Sequence, residues 1–140
     1  MTRMSSKIKF AVVGCGHIGK RHAEMIDRNE DTELTAIVDI KSKEELDIEK
    51  YQVPFFHSLE ALLEADLKPD VINIATPNGL HASQAILCLD AGTHVVIEKP
   101  FALSTTAASA VISKSQQVKK NVFVVMQNRY SPPAIWLKEI

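Results

Sequence analysis

The feature that most constrains this chain is Gly14-Cys15-Gly16-His17-Ile18-Gly19, which follows an apolar run from Ile8 to Val13 and opens a helical pattern. A run of that kind reads as a strand buried on both faces, the sort found in parallel sheets. The chain must then leave the strand, turn and enter a helix within six residues. Gly14 allows the tight turn, Gly16 lets a pyrophosphate approach the backbone, and Gly19 lets the helix pack close to the sheet. Free N–H groups at the helix start would face those phosphates, with the helix dipole adding attraction. Three glycines in such a turn also arise as plain turn chemistry, so the spacing needs support from elsewhere.

Support comes from a second apolar run, Leu34-Thr35-Ala36-Ile37-Val38, which ends in Asp39, twenty residues beyond Gly19. An acidic side chain there can accept both ribose hydroxyls of an adenosine, although aspartate is also common where a strand simply ends. Asp39 would repel a 2′-phosphate and Ile40 brings no compensating charge, so NAD is expected over NADP. Lys41 and Lys43 are the nearby cations, and both are expected to point to solvent.

Length and composition suit one soluble domain: 140 residues, 46% hydrophobic and 24% charged. A net charge of −1 favours neither nucleic acid nor an acidic membrane. Cys15 and Cys88 cannot form a disulfide framework and suit a reducing cytoplasm. Cys15-x-His17 lacks a second pair of ligands at usable spacing, so no metal is expected. Residues 1–7 are polar, the run after them is too short for a signal peptide, and no apolar segment approaches the ~20 residues of a membrane span. The expected location is the cytoplasm.

The remaining chain alternates strand and helix signals. Ile18, His22, Met25 and Ile26 recur at helical spacing, predicting a first helix to about Asn29, with His22 packing or capping beside apolar neighbours. Ser42-Lys43-Glu44-Glu45 reads as a capping box opening a helix to about Tyr51, and Ser58 as the cap of a helix over 59–65. Val71 to Ala75 is a continuous apolar strand, followed by a helix over 81–91 that Gly92 ends. Val95 to Ile97 is the next strand, and Ser104 caps a helix whose Ala107, Ala108, Val111, Ile112 and Val118 share a face. Val122 to Met126 is the last strand; Pro132-Pro133 marks a turn before a helical start at Ala134. The alternation predicts an α/β fold, a doubly wound parallel sheet of the Rossmann type.

In such a sheet, ligands bind at the carboxyl ends of the strands. Three polar clusters fall there: Thr76-Pro77-Asn78 with His81, Glu98-Lys99-Pro100, and Gln127-Asn128-Arg129-Tyr130. Strands must end in polar turns, but a Glu-Lys pair followed by Pro at a buried strand end is less expected. A lysine at that point can donate to a substrate hydroxyl or carbonyl near a nicotinamide ring.

Together, Val13 to Gly19, Ala75-Thr76-Pro77-Asn78 with His81, and Glu98-Lys99-Pro100-Phe101 resemble the glucose-fructose oxidoreductase, inositol dehydrogenase and MocA family of sugar dehydrogenases. The resemblance covers that family's N-terminal nucleotide-binding domain. It implies that Gly14, Gly16, His17 and Ile18 line the pyrophosphate, with Gly19 completing the turn, and that Asp39 holds the adenosine ribose. Thr76, Pro77, Asn78 and His81 would flank the nicotinamide half of NAD, with Gln127 beside them. Glu98 would hold the nicotinamide ribose. Lys99 would be catalytic, touching the hydroxyl being oxidised, and Asn128 and Arg129 would meet the substrate. The resemblance also implies a cis Lys99–Pro100 bond, which would turn Lys99 into the cleft. The stretch 123–129 is similar, more narrowly, to dehydrogenases that oxidise the 3-hydroxyl of UDP-N-acetyl-glucosaminuronate in lipopolysaccharide sugar synthesis.

The family's second domain, with its substrate contacts and catalytic Asp/His pair, has no counterpart here. The expectation is therefore an NAD-binding domain over 1–130 and, over 131–140, the start of a helix leading to a missing substrate domain. The chain alone would be inactive, and the full-length protein a homo-oligomer. Two other readings compete: a non-catalytic nucleotide-sensing module, and a methyltransferase, in which Glu98-Lys99-Pro100 would have no task.

Overall fold

The computed structural model describes residues 6–140; the predicted absence of a signal peptide draws partly on residues 1–5, which lie outside the described residues. Six parallel strands form one sheet: β1 (Ile8–Val13), β2 (Thr32–Val38), β3 (Phe55–Phe56), β4 (Val71–Ile74), β5 (His94–Ile97) and β6 (Val122–Val124). Their order across the sheet is β3-β2-β1-β4-β5-β6, so the strands are added outward in opposite senses on either side of the β1/β4 junction, where the strand order reverses. The crossovers carry α1 (His17–Arg28), α2 (Lys43–Leu46), α3 (Leu59–Glu64), α4 (His81–Asp90) and α5 (Thr105–Val118), and α6 (Pro132–Glu139) follows β6.

Alternation along each strand divides the core. Val12 and Ile37 join Ala23 and Ile26 of α1 and Leu46, Ile48 and Tyr51 around α2 on one face. Ala11, Val13, Ile72, Ile74, Val95 and Ile97 meet Leu59, Leu62, Ala85, Leu89 and Val111 from α3, α4 and α5 on the other. All four residues of β4 are buried, and Asn73 is the one polar side chain among them. Ser42 closes a full capping box, and Ser58 and Ser104 accept from the third residue of their helices, caps worth about 1 kcal/mol each.

Several boundaries differ from the sequence expectation. The helix after Ser42 stops at Leu46 because Asp47 turns into the left-handed region at φ 54°. β6 ends at Val124, and a single turn of 3-10 helix, Gln127–Tyr130, leads to α6. Pro132 and Pro133 occupy the first turn of α6 instead of preceding it, positions where the missing N–H costs nothing. Ile112 lies outside the α5 face it was assigned to and is 49% exposed. Ile135, Trp136 and Leu137 of α6 are all exposed. Among the described residues, no helix is long and apolar enough to cross a membrane.

Candidate cofactor and substrate site

The reversal between β1 and β4 opens a crevice at the carboxyl ends of the strands, and the glycine turn sits over it. Gly14 has φ +84°, and a Cβ there would lie 2.7 Å from the carbonyl oxygen of Ala75. A Cβ on Gly19 would overlap the carbonyl oxygen of Gly14. These two glycines let the turn lie flat on β4 and let α1 press against it. Gly16 differs, because a Cβ there would meet nothing within 4 Å. The turn itself needs no glycine at 16, and the open space above it is where a phosphate could reach the first-turn amides of α1.

Asp39 lies at the end of β2 beside this turn. Its Oδ2 accepts from the Cys15 amide at 2.7 Å and its Oδ1 from the Lys41 amide at 2.9 Å, so the carboxylate is fixed with lone pairs to spare. A cleft of about 340 Å³ opens between them, lined among others by Gly14, Gly16, Asp39, Lys41, Thr76 and Pro77. His57, Ser58, Leu59 and Leu46 also line it, four residues that the sequence reading did not assign to a site. Lys41 is exposed on the rim. Lys43 does not point to solvent as expected: its Nζ donates to the carbonyls of Tyr51 at 3.0 Å and Val53 at 3.2 Å. That removes one of the two cations able to meet a 2′-phosphate.

The Cys15 thiol beneath the turn is fully buried. Burial, with the Asp39 charge adding to it, pushes its pKa up to about 11, and burial pushes Cys88 up to about 12. Both remain protonated thiols near neutral pH, the state that neither attacks electrophiles nor binds metal.

Across the reversal lie the ends of β4 and β5. Thr76 donates to Gln84 at 2.5 Å, and Pro77 and Asn78 are exposed. His81 is only 1% exposed, and its ring nitrogens face the carbonyls of Pro100 at 2.8 Å and Thr76 at 2.7 Å. Its ring therefore ties the two strand-end loops together from below, with no free nitrogen to offer the cleft. The Lys99–Pro100 bond is cis. Lys99 is exposed and lines a cleft of about 330 Å³ with Met126, Gln127, Asn128 and Arg129.

Gln127 also borders a second opening of about 460 Å³ between α1 and the sheet, with Ile18, Arg21, His22, Met25, Asn73 and Glu98. The α1 stripe expected to pack inward thus divides. Ile26 is buried, with Ala23 from outside the stripe beside it, whereas Ile18 and Met25 are 43% and 66% exposed on the wall of this opening. His22 does more than pack: its Nε2 meets Glu98 Oε1 at 2.8 Å. Neither that contact nor Asn73 was foreseen, and only the polar residue in an otherwise apolar strand hinted at it.

A protein-family model described as "Oxidoreductase family, NAD-binding Rossmann fold" matches residues 8–126. The 4-carboxy-2-hydroxymuconate-6-semialdehyde dehydrogenase of Sphingobium sp. is 33% identical over 128 residues, covering 89% of this chain and 40% of that protein. The UDP-N-acetylglucosamine 3-dehydrogenase of Acidithiobacillus ferrooxidans is 31% identical over 111 residues, 79% of this chain and 34% of its own length. Among solved structures, the WlbA dehydrogenase from Bordetella pertussis, in complex with NADH and UDP-GlcNAcA, aligns with a TM-score of 0.87 at 34% identity. That alignment covers 95% of this chain and 41% of WlbA. The chain thus spans about two fifths of the length of such relatives. With the glycine turn, the strand order and the family match in agreement, the chain belongs to the Gfo/Idh/MocA oxidoreductase family and corresponds to its NAD-binding Rossmann domain.

Proposed function

We propose that this domain serves an NAD-dependent dehydrogenase that oxidises a ring hydroxyl of a sugar or nucleotide sugar. The observation that carries this reading is a set of differently equipped openings around the carboxyl ends of the strands. An open glycine turn beside a fixed carboxylate lines one, and Glu98 and Lys99 line two others that share Gln127.

Bound NAD⁺ supplies the hydride acceptor. Gly16 and the amides of His17 and Ile18 receive the pyrophosphate, Asp39 the adenosine ribose, and Thr76, Pro77, Asn78 and Gln127 flank the nicotinamide half. His81 contributes by holding the loop that carries Thr76. Glu98 takes the nicotinamide ribose hydroxyls. Lys99 donates to the substrate hydroxyl oxygen and stabilises the alkoxide character that develops there as the hydroxyl proton departs, the charge that is then spent in forming the carbonyl as hydride leaves carbon. The hydroxyl proton passes to a base outside these 140 residues. Asn128 and Arg129, beside Lys99, meet the substrate, and the guanidinium suits a carboxylate or a phosphate.

The narrower substrate reading is the 3-hydroxyl of UDP-N-acetyl-glucosaminuronate in lipopolysaccharide sugar synthesis. The likeness to WlbA and to a UDP-N-acetylglucosamine 3-dehydrogenase supports it. The complete enzyme is a cytoplasmic homo-oligomer in this reading, with residues 131–140 leading into a substrate domain.

The test is NADH formation at 340 nm by the full-length protein offered NAD⁺ with one compound at a time. The panel comprises UDP-N-acetyl-glucosaminuronate, UDP-N-acetylglucosamine, myo-inositol and a simple glucoside. Turnover of any of these supports the class, and preference for the uronate supports the narrow reading. NADH binding without turnover of any would favour a nucleotide-sensing module.

A further inference from the structure

His22, Asn73 and Glu98 come from α1, β4 and the end of β5, and they meet in one line beneath the opening beside α1. Asn73 Nδ2 stands 3.0 Å from His22 Nδ1, and His22 Nε2 stands 2.8 Å from Glu98 Oε1. With the amide donating, Nδ1 must accept, so the ring carries its proton on Nε2 and donates it to the Glu98 carboxylate. The side chains of His22 and Glu98 are 12% and 16% exposed, so the contact is largely shielded from water.

Asn73 is the costly member. It occupies a strand otherwise made of valine and isoleucine, it is 6% exposed, and its Oδ1 has no partner among the described residues. An apolar residue would satisfy packing there without burying an amide. The return on that cost is a fixed imidazole, in one tautomer, aimed at Glu98.

We propose that His22, oriented by Asn73, is a positioning residue that holds the Glu98 carboxylate in place for the nicotinamide-side ribose of the cofactor. The inference rests on the assignment of Glu98 to that ribose. Glu98 sits at a strand end with a flexible side chain, and a free carboxylate would lose rotamer freedom on each binding event. The hydrogen bond from His22 removes that cost in advance, as outer-shell partners do for metal ligands.

The test uses two ligands, NADH and ADP, because ADP carries the adenosine and both phosphates but no nicotinamide riboside. His22→Asn places an amide near the Nδ1 position and leaves Glu98 without its donor. His22→Gln places an amide nitrogen near the Nε2 position and keeps it. The expected result is NADH binding weakened about tenfold by His22→Asn and near wild type for His22→Gln, with ADP affinity unchanged in both. Asn73→Val suits the strand and provides a second arm, with the same selective loss of NADH affinity. In a Glu98→Ala background, His22→Asn should add nothing, since the group it positions is gone.

Equal behaviour of the Asn and Gln variants would overturn the proposal, as would parallel loss of ADP and NADH. Wild-type NADH affinity in Glu98→Ala alone would instead refute the ribose assignment. A strong effect of Glu98→Ala with silent His22 and Asn73 variants would refute only the positioning role.

Discussion

Gly19→Ala should fail to hold the native fold, whereas Gly16→Ala should fold normally and lose its cofactor. The two positions are three residues apart in one turn, yet their surroundings are opposite. A methyl at 19 would overlap the carbonyl oxygen of Gly14 and approach its carbonyl carbon to 2.8 Å. Relief requires lifting α1 off the turn or moving Gly14, which is itself locked by its φ of +84° and by Ala75. Overpacking against backbone that cannot yield should cost about 3 kcal/mol or more, a large share of a small domain's stability. Gly16 has φ −69° and ψ −159°, which alanine adopts freely, and open space around its Cα. Its methyl would project into the volume assigned to the pyrophosphate, so NADH affinity should fall by about 10²-fold or more, roughly 3 kcal/mol. Thermal melts separate the two variants, and calorimetric titration measures the second effect. A Gly16→Ala protein that binds NADH as wild type would remove the phosphate from this turn.

Lys99→Met in the complete enzyme should lower kcat by about 10²-fold or more while NADH affinity stays near wild type. Methionine keeps much of the stem and removes the ammonium. Lys99 is exposed and faces the cleft shared with Asn128 and Arg129, and of the residues assigned to the cofactor only Gln127 lines that cleft. A group that meets charge only as it develops in the transition state changes kcat and leaves cofactor binding alone. Unchanged kcat would make Lys99 a surface residue, and lost NADH binding would make it a cofactor residue. Single-turnover hydride transfer with saturating NAD⁺ reads the chemical step directly.

What could be read from the sequence was whatever is local. The glycine turn, the apolar strands and the serine caps each follow from a few consecutive residues, and so does the doubly wound order that alternation implies. The strand-end clusters were legible for the same reason, because a buried strand announces where it stops. Relations across the sheet were not. His22 and Glu98 are 76 residues apart, and His22 and Asn73 are 51 apart. Helical spacing placed His22 beside Ile18 and Met25 as part of an apolar stripe. It could not show that α1 covers the sheet along only one edge of that stripe, leaving Ile18 and Met25 on the wall of an opening. His81 illustrates the converse. A histidine beside a strand-end cluster reads as a ligand contact, and its burial between two carbonyls emerges only when the loops of β4 and β5 come together. Lys43 was misjudged because the chain beyond Asp47 folds back and presents the carbonyls of Tyr51 and Val53 to its ammonium.

We infer that Asp39 and the open turn at Gly16 form the seat of a dinucleotide without a 2′-phosphate. The most direct measurement is calorimetric titration of the wild-type chain and of Asp39→Ala with NADH and with NADPH. The Asp39 carboxylate accepts from two backbone amides beside the cleft, and Lys41 is the one lysine or arginine among the described residues that line it. The expected result is saturable one-to-one binding of NADH, at least about tenfold tighter than NADPH, with Asp39→Ala weakening NADH and narrowing the difference. NADPH binding as tightly as NADH or tighter in the wild-type chain would contradict it.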